Sequence, residues 1–163
     1  MPPDLPKLSP TLRQELDQIE PSVFAPGVLL YPCSARLKDG ADIARVYFVE
    51  SATFRRLFLF EEPQEMPGLR WPDAIAATTP NPNRLPAAFA NEIYSVSDAG
   101  WGARKFALVF SWWCRRDYLV GGFVDFLEYP AGRGSSDVKK VILYGTKRKV
   151  RRVPEPSWCV FSS

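Results

Sequence analysis

The 163 residues are 46% hydrophobic and 13% aromatic with a net charge of +3, enough apolar material for a packed core and too much for wholesale disorder. Such a length suits one or two domains of about 100–150 residues. The chain has no histidine, which excludes every Ser-His-Asp and Cys-His arrangement and the zinc sites that histidine builds, and leaves an enzyme only carboxylates, lysine, tyrosine or a thiol activated by other means; no catalytic residue, metal or cofactor is expected.

No apolar run approaches the roughly 20 residues of a membrane helix, so no membrane partner is expected. The opening "MPPDLPKLSP" lacks the charged start and apolar stretch of a secretory signal. Cys33, Cys114 and Cys159 are odd in number and far apart. That argues against a disulfide framework and fits a cytoplasmic protein.

In chain order, "SPTLRQELDQIE" (9–20) reads as a helix. Ser9 is a good N-cap, Pro10 suits the first helical position, and Leu12, Leu16 and Ile19 share one face. Pro21 stops it. From residue 32 the period changes to that of strands, with a hairpin around Lys38-Asp39-Gly40-Ala41-Asp42. Arg45 to Glu50 alternate at strand spacing. "FRRLFLFEE" reads as a third extended run and "RWPDAIAATTP" as a short fourth strand. "NPNRLPAAFANEIY" looks helical over 83–95, capped by Asn83, with Leu85, Phe89 and Ile93 four apart; "SVSDAGWG" is a loop.

β character returns at "KFALVFSWWCRRDYLVGGFVDFLEYP". Phe106, Leu108, Phe110 and Trp112 fall on one face of a strand, and Ala107, Val109, Ser111 and Trp113 on the other. Cys114 then lies at the hairpin tip. Gly121-Gly122 marks a bulge or bend, after which Phe123 to Tyr129 continue the strand. "VKKVILYG" is another strand.

The predicted fold is α+β and mostly β. One antiparallel sheet with two short helices is one architecture; two tandem SH3-like barrel units, suggested by a weak echo between "DAIAATTP" and "DVKKVILY", is the other. Both stay open. The expected organisation is an N-terminal helix and arm (1–22), a β-rich body (23–145) whose halves 23–80 and 104–145 are joined by the helix at 83–95, and a basic then apolar tail (146–163).

Each candidate site has a plain structural reading beside it. Arg115 and Arg116 would favour a Cys114 thiolate, but no base stands nearby in sequence, so Cys114 reads as a turn residue. Trp112 and Trp113 cannot both enter one core from a regular strand. An exposed tryptophan beside Arg115 and Arg116 suits a protein interface, whereas a sheet covered on both faces would bury both. Residues 133–153 hold Arg133, Lys139, Lys140, Lys147, Arg148, Lys149, Arg151 and Arg152 against Asp137 alone, or +7, which leaves −4 for the remainder. Such a stripe binds phosphates or an acidic protein, or is simply solvated. "PAGRGSSD" and "YGTKRK" do not match a phosphate-binding loop. Asp125 and Glu128 fall on opposite strand faces, unlike a glycosidase pair, and Asp39 and Asp42 are too few ligands for calcium.

The segments "RLPAAFANEIY" and "VDFLEYP", within residues 83–132, resemble a family of small bacterial cytoplasmic proteins with no assigned function. The resemblance implies an Asp-Gly at the second hairpin turn, where this chain has Cys114-Arg115-Arg116-Asp117, and it implies no catalytic residue. The expected function is a non-enzymatic binding module, such as an inhibitor, an immunity-type protein or an accessory subunit. It would engage a protein partner through Trp112, Trp113, Arg115 and Arg116; a homo-oligomer is compatible with this. Nucleic-acid binding through Lys139, Lys140, Lys147, Arg148, Lys149, Arg151 and Arg152, with Tyr144 and Trp158 for stacking, is one alternative. A histidine-free enzyme, with a polar pocket around Asp73, Asp125 or Tyr118, is the other.

Overall fold

The computed structural model describes residues 5–58, 68–96, 103–143 and 155–162. The fold is α+β and mostly sheet; its sheets are open, and no closed barrel forms among the described residues. The chain divides into two units: Met1–Pro21, Gly27–Asn81 and Pro156–Ser163 make unit 1, and Ser22–Pro26 and Pro82–Glu155 make unit 2. Of the first expected half, residues 27–80 lie in unit 1 and 23–26 in unit 2 with residues 104–145, and the expected tail is divided between the units.

Unit 1 begins with α1 (Pro10–Asp17). The Ser9 hydroxyl accepts from the Leu12 N–H at 3.2 Å, and Pro10 holds the first turn. Leu12, Leu16 and Ile19 are buried with Cys33, Val46, Phe48, Ile75, Cys159 and Phe161. Glu15 ties the helix to β5 (Ile75–Thr79), its Oε2 accepting from the Thr78 N–H at 2.8 Å and the Thr78 hydroxyl at 3.3 Å.

The hairpin of β2 (Val28–Leu37) and β3 (Asp42–Glu50) turns at Gly40, whose φ of 92° suits a residue without Cβ. The Asp39 carboxylate accepts from the Ala41 N–H at 2.8 Å and closes the turn. β5 lies antiparallel on the other side of β2.

Two segments of unit 1 depart from expectation. "FRRLFLFEE" does not open as a strand: α2 (Ser51–Leu57) runs through its first residues. Phe54 and Phe58, four apart, bring their rings within 4.8 Å, and Phe54 also meets Trp158 edge-on; tertiary packing overrides the aromatic preference for strands. Residues 59–62 of that run lie outside the described residues.

The apolar end of the expected tail is β9 (Ser157–Phe161), parallel to both β3 and the short β4 (Leu69–Arg70). Trp158, Cys159, Val160 and Phe161 are all buried. A strand covered on both faces shows no polar alternation, which is why it reads as an undifferentiated apolar run. Phe48 and Cys159 share the α1 face, while Tyr47 stacks on Trp158 at 4.7 Å on the α2 face. "RWPDAIAATTP" is thus two strands with different partners, β4 and β5, separated by a 3-10 turn at Pro72–Ala74.

Unit 2 is a three-stranded antiparallel sheet, ordered β7 (Cys114–Val120), β6 (Arg104–Ser111), β8 (Lys140–Ile142), with α3 (Ala87–Tyr94) and β1 (Ser22–Ala25). Phe106, Leu108, Phe110, Tyr118, Val120 and Val141 face a core shared with Ile93, Tyr94, Val124 and Leu127. The helix starts four residues after Asn83 because Pro86 keeps Leu85 out of helical geometry. Leu85 instead donates its N–H to the Asp125 carbonyl at 2.8 Å. Gly122, at φ 89°, bends the chain after β7. Phe123 to Tyr129 do not continue the strand; Phe126 alone makes an isolated bridge, to Arg84.

Candidate interaction surface

β6 and β7 pair from Arg104 with Val120 to Ser111 with Cys114, so the connecting turn is Trp112-Trp113. The expectation that Trp112 lies in a strand and Cys114 at the tip is corrected by this register. Trp112 is 91% exposed and Trp113 67%. Their rings meet edge-on, centroids 5.1 Å apart at 83°, the arrangement that aromatic quadrupoles favour. Two-residue hairpin turns ordinarily take Asn-Gly or Gly-X, so turn chemistry does not explain two tryptophans here.

The residues after the tip diverge. Cys114, half-buried, opens β7 and packs against the unit 2 core. Arg115 is exposed and pairs with Asp117 at 2.9 Å. Arg116 is half-buried, directly across from core residue Leu108. Lys139 and Lys140 are exposed; the Lys139 N–H donates to the Val109 carbonyl at 2.8 Å, and Lys140 sits opposite Val109 at the start of β8. Val109 also faces Arg115. The structure thus brings Arg115 and Lys140 to the two sides of one β6 residue near the tip. Lys147, Arg148, Lys149, Arg151, Arg152 and Tyr144 lie outside the described residues.

The residues named for a histidine-free enzyme are divided between the units. Asp73 is exposed in unit 1, while Tyr118 and Asp125 are buried in unit 2. Tyr118 Oη donates to the Glu128 carbonyl at 2.8 Å. Trp158, named for base stacking, is buried in unit 1. No group of three or more Cys, Asp or Glu among the described residues is placed to hold a metal ion.

Asp125 anchors a polar network that the sequence did not reveal. Its Oδ1 accepts from the Ser22 hydroxyl, and its Oδ2 accepts from Tyr94 Oη at 2.5 Å. Arg84 approaches Oδ1 at 4.0 Å and donates from Nη2 to Ser22 Oγ at 2.9 Å. The Val124 N–H donates to Tyr94 Oη at 2.9 Å, and the Val23 N–H to Asn91 Oδ1 at 2.7 Å. With Asp125 fully buried and each partner already engaged, the network holds β1, α3 and the 124–125 segment together.

Comparison with protein-family models, with curated proteins and with solved structures gives no match to this chain.

Proposed function

We propose that the chain is a non-enzymatic binding module whose β6–β7 tip docks on a protein partner, as an inhibitor, immunity-type protein or accessory subunit does. The observation that carries this reading is the exposure of two adjacent tryptophans at a turn that needs neither. Tryptophan and arginine are the residues most often found at the energetic centre of protein interfaces, and a Trp-to-Ala change there costs about 2 kcal/mol or more of binding. The exposed Lys140, across β6 from the tip strand, favours an acidic rim on the partner. None of the three cysteines is disulfide-bonded, which agrees with a reducing compartment such as a cytoplasm.

Capture from a lysate by the wild type and by the W112A/W113A double variant, with and without nuclease, tests this. The expected result is a captured protein that survives nuclease and is lost with the double variant. Equal capture by both chains would sink the reading.

A second reading rests on the charge of unit 2, which has 13 basic against 7 acidic residues, or +6. In it, Lys139, Lys140 and the basic 147–152 stretch hold a nucleic-acid backbone while the tip tryptophans stack on bases. Gel shifts that weaken steeply with salt, and capture abolished by nuclease, would favour it over the first.

A further inference from the structure

Two arginines lie on the core side of the unit 2 sheet, and their surroundings differ. Arg104, at the start of β6, donates from Nε to the Gly122 carbonyl at 2.8 Å and from Nη1 to the Val96 carbonyl at 3.2 Å. Its guanidinium lies 4.9 Å from the ring centroids of both Phe24 and Tyr94. Arg116 has no such company. Its Nη1 is shielded from solvent without a hydrogen-bond acceptor, and none of the ion pairs among the described residues includes it.

Tyr129 is a second donor in the same condition, its hydroxyl buried and without a partner. Its ring meets Phe110 edge-on at 6.2 Å. The adjoining Glu128 carbonyl accepts from Tyr118 Oη, which fixes this segment over the core face of β7. Tyr118 is two residues along β7 from Arg116, and Phe110 is two along β6 from Leu108, the residue opposite Arg116. Same-face neighbours of this kind lie about 5–8 Å apart, within reach of a long side chain. Tyr129, set against Phe110, and Glu128, bonded to Tyr118, thus pack on the two core-face residues that flank the Arg116 position. Burial, and then the nearness of Tyr118 and Asp125, push its phenol pKa up, so it remains an O–H donor at neutral pH.

Buried donors are ordinarily satisfied, and a guanidinium nitrogen without an acceptor is a standing penalty. We infer that Arg116 Nη1 and Tyr129 Oη hold a carboxylate, the Asp or Glu side chain of an acidic peptide segment carried by the protein that docks on the tip. The inference rests on the protein-docking reading above. Two donors without an acceptor beside them select an acceptor-only group. A single guanidinium matches a single negative charge, and the charge of neighbouring Arg115 is already engaged by Asp117. A phosphate dianion would keep one charge uncompensated at this half-buried position.

The test is an NMR titration of the full chain with acetate and with end-blocked aspartate, against chloride and inorganic phosphate at matched ionic strength, reading the Arg116 guanidinium and Tyr129 ring signals. Both carboxylates are expected to give saturable shifts of millimolar affinity. The affinity is expected to fall about tenfold or more in R116Q and in Y129F, and to persist in K105Q. Y129F keeps the ring and removes one oxygen, so it decides the matter if R116Q does not fold.

A chloride-like response to acetate, undiminished binding in Y129F, or tighter binding of phosphate than of acetate would each overturn the inference. W112A/W113A, run in the same titration, is expected to retain the acetate response. Loss of partner capture in W112A/W113A with the acetate response intact supports both readings. Capture that is indifferent to the tryptophans overturns the docking reading alone, and an absent acetate response with capture intact overturns the carboxylate site alone.

Discussion

The β2–β3 hairpin of unit 1 turns at Asp39-Gly40, with a positive φ at glycine and an aspartate oxygen closing the loop. The β6–β7 hairpin of unit 2 turns at two tryptophans that lie largely in solvent. The sheets differ as well. Unit 1 covers both faces of a mixed sheet, with α1 on one side and the Tyr47–Trp158 stack and α2 on the other. Unit 2 has one apolar core and an edge network around a buried aspartate. Over their full sequences unit 1 has 8 basic and 11 acidic residues, or −3, against +6 in unit 2. Where residue choice, turn chemistry and packing agree, a segment is explained by folding alone. Unit 1 meets that standard at its hairpin; unit 2 breaks it at the tip, and such local disagreement is where function is expected.

The largest expected effect breaks unit 2 and spares unit 1. Asp125→Ala leaves Arg84 buried without its carboxylate and Ser22 and Tyr94 without their acceptor, a loss of about 3–5 kcal/mol. Urea unfolding followed at amides of each unit should show the loss at α3 and β6 and not at β2 and β3.

Alkaline pH separates the units by chemistry. Burial, then Cys33 and Asp73, push the Cys159 thiol above its ordinary 9.0, and burial pushes the Tyr129 phenol above its ordinary 10.0. Each group stays protonated in the fold after the unfolded chain has ionised, so the native state binds more protons and stability falls as pH rises. The slope is about 1.4 kcal/mol per pH unit per group. It begins near pH 9.0 in unit 1 and near 10.0 in unit 2. Unfolding midpoints measured against pH should lose the first break in C159A and the second in Y129F.

Ser9→Ala removes the α1 cap and should cost unit 1 about 1 kcal/mol in thermal or urea unfolding. The smallest effect is the most telling. W112A/W113A should change stability by no more than about 0.5 kcal/mol, as at an ordinary surface position. A loss of several kcal/mol would mean that the tip serves the fold, and the contrast between the hairpins would vanish.

Much of unit 1 is legible without coordinates. The Ser9-Pro10 start, the Leu12/Leu16/Ile19 stripe and the Asp-Gly turn are local signals, and each acts within a few residues of itself. The inward set Phe106, Leu108 and Phe110 of unit 2 follows from a period of two in the same way. The sequence pattern places the tip at Cys114 and not at Trp112-Trp113, because nothing in "SWWC" marks a turn. α2 was hidden because "FRR" fits strand and helix equally until Trp158 is placed beside Phe54.

Local backbone preference and hydrophobic period, then, are written in the chain: they determined the α+β class, the two hairpins, the first helix and the lack of imidazole chemistry. Only tertiary structure decided that residues 157–161 become a strand between β3 and β4. The same holds for Ser22 and Asp125 sharing a hydrogen bond across 103 positions, and for Arg116 Nη1 and Tyr129 Oη each being buried without a hydrogen-bond partner. Those outcomes depend on pairings between distant segments, whose free energy comes from burial and hydrogen bonds that no short window of sequence contains.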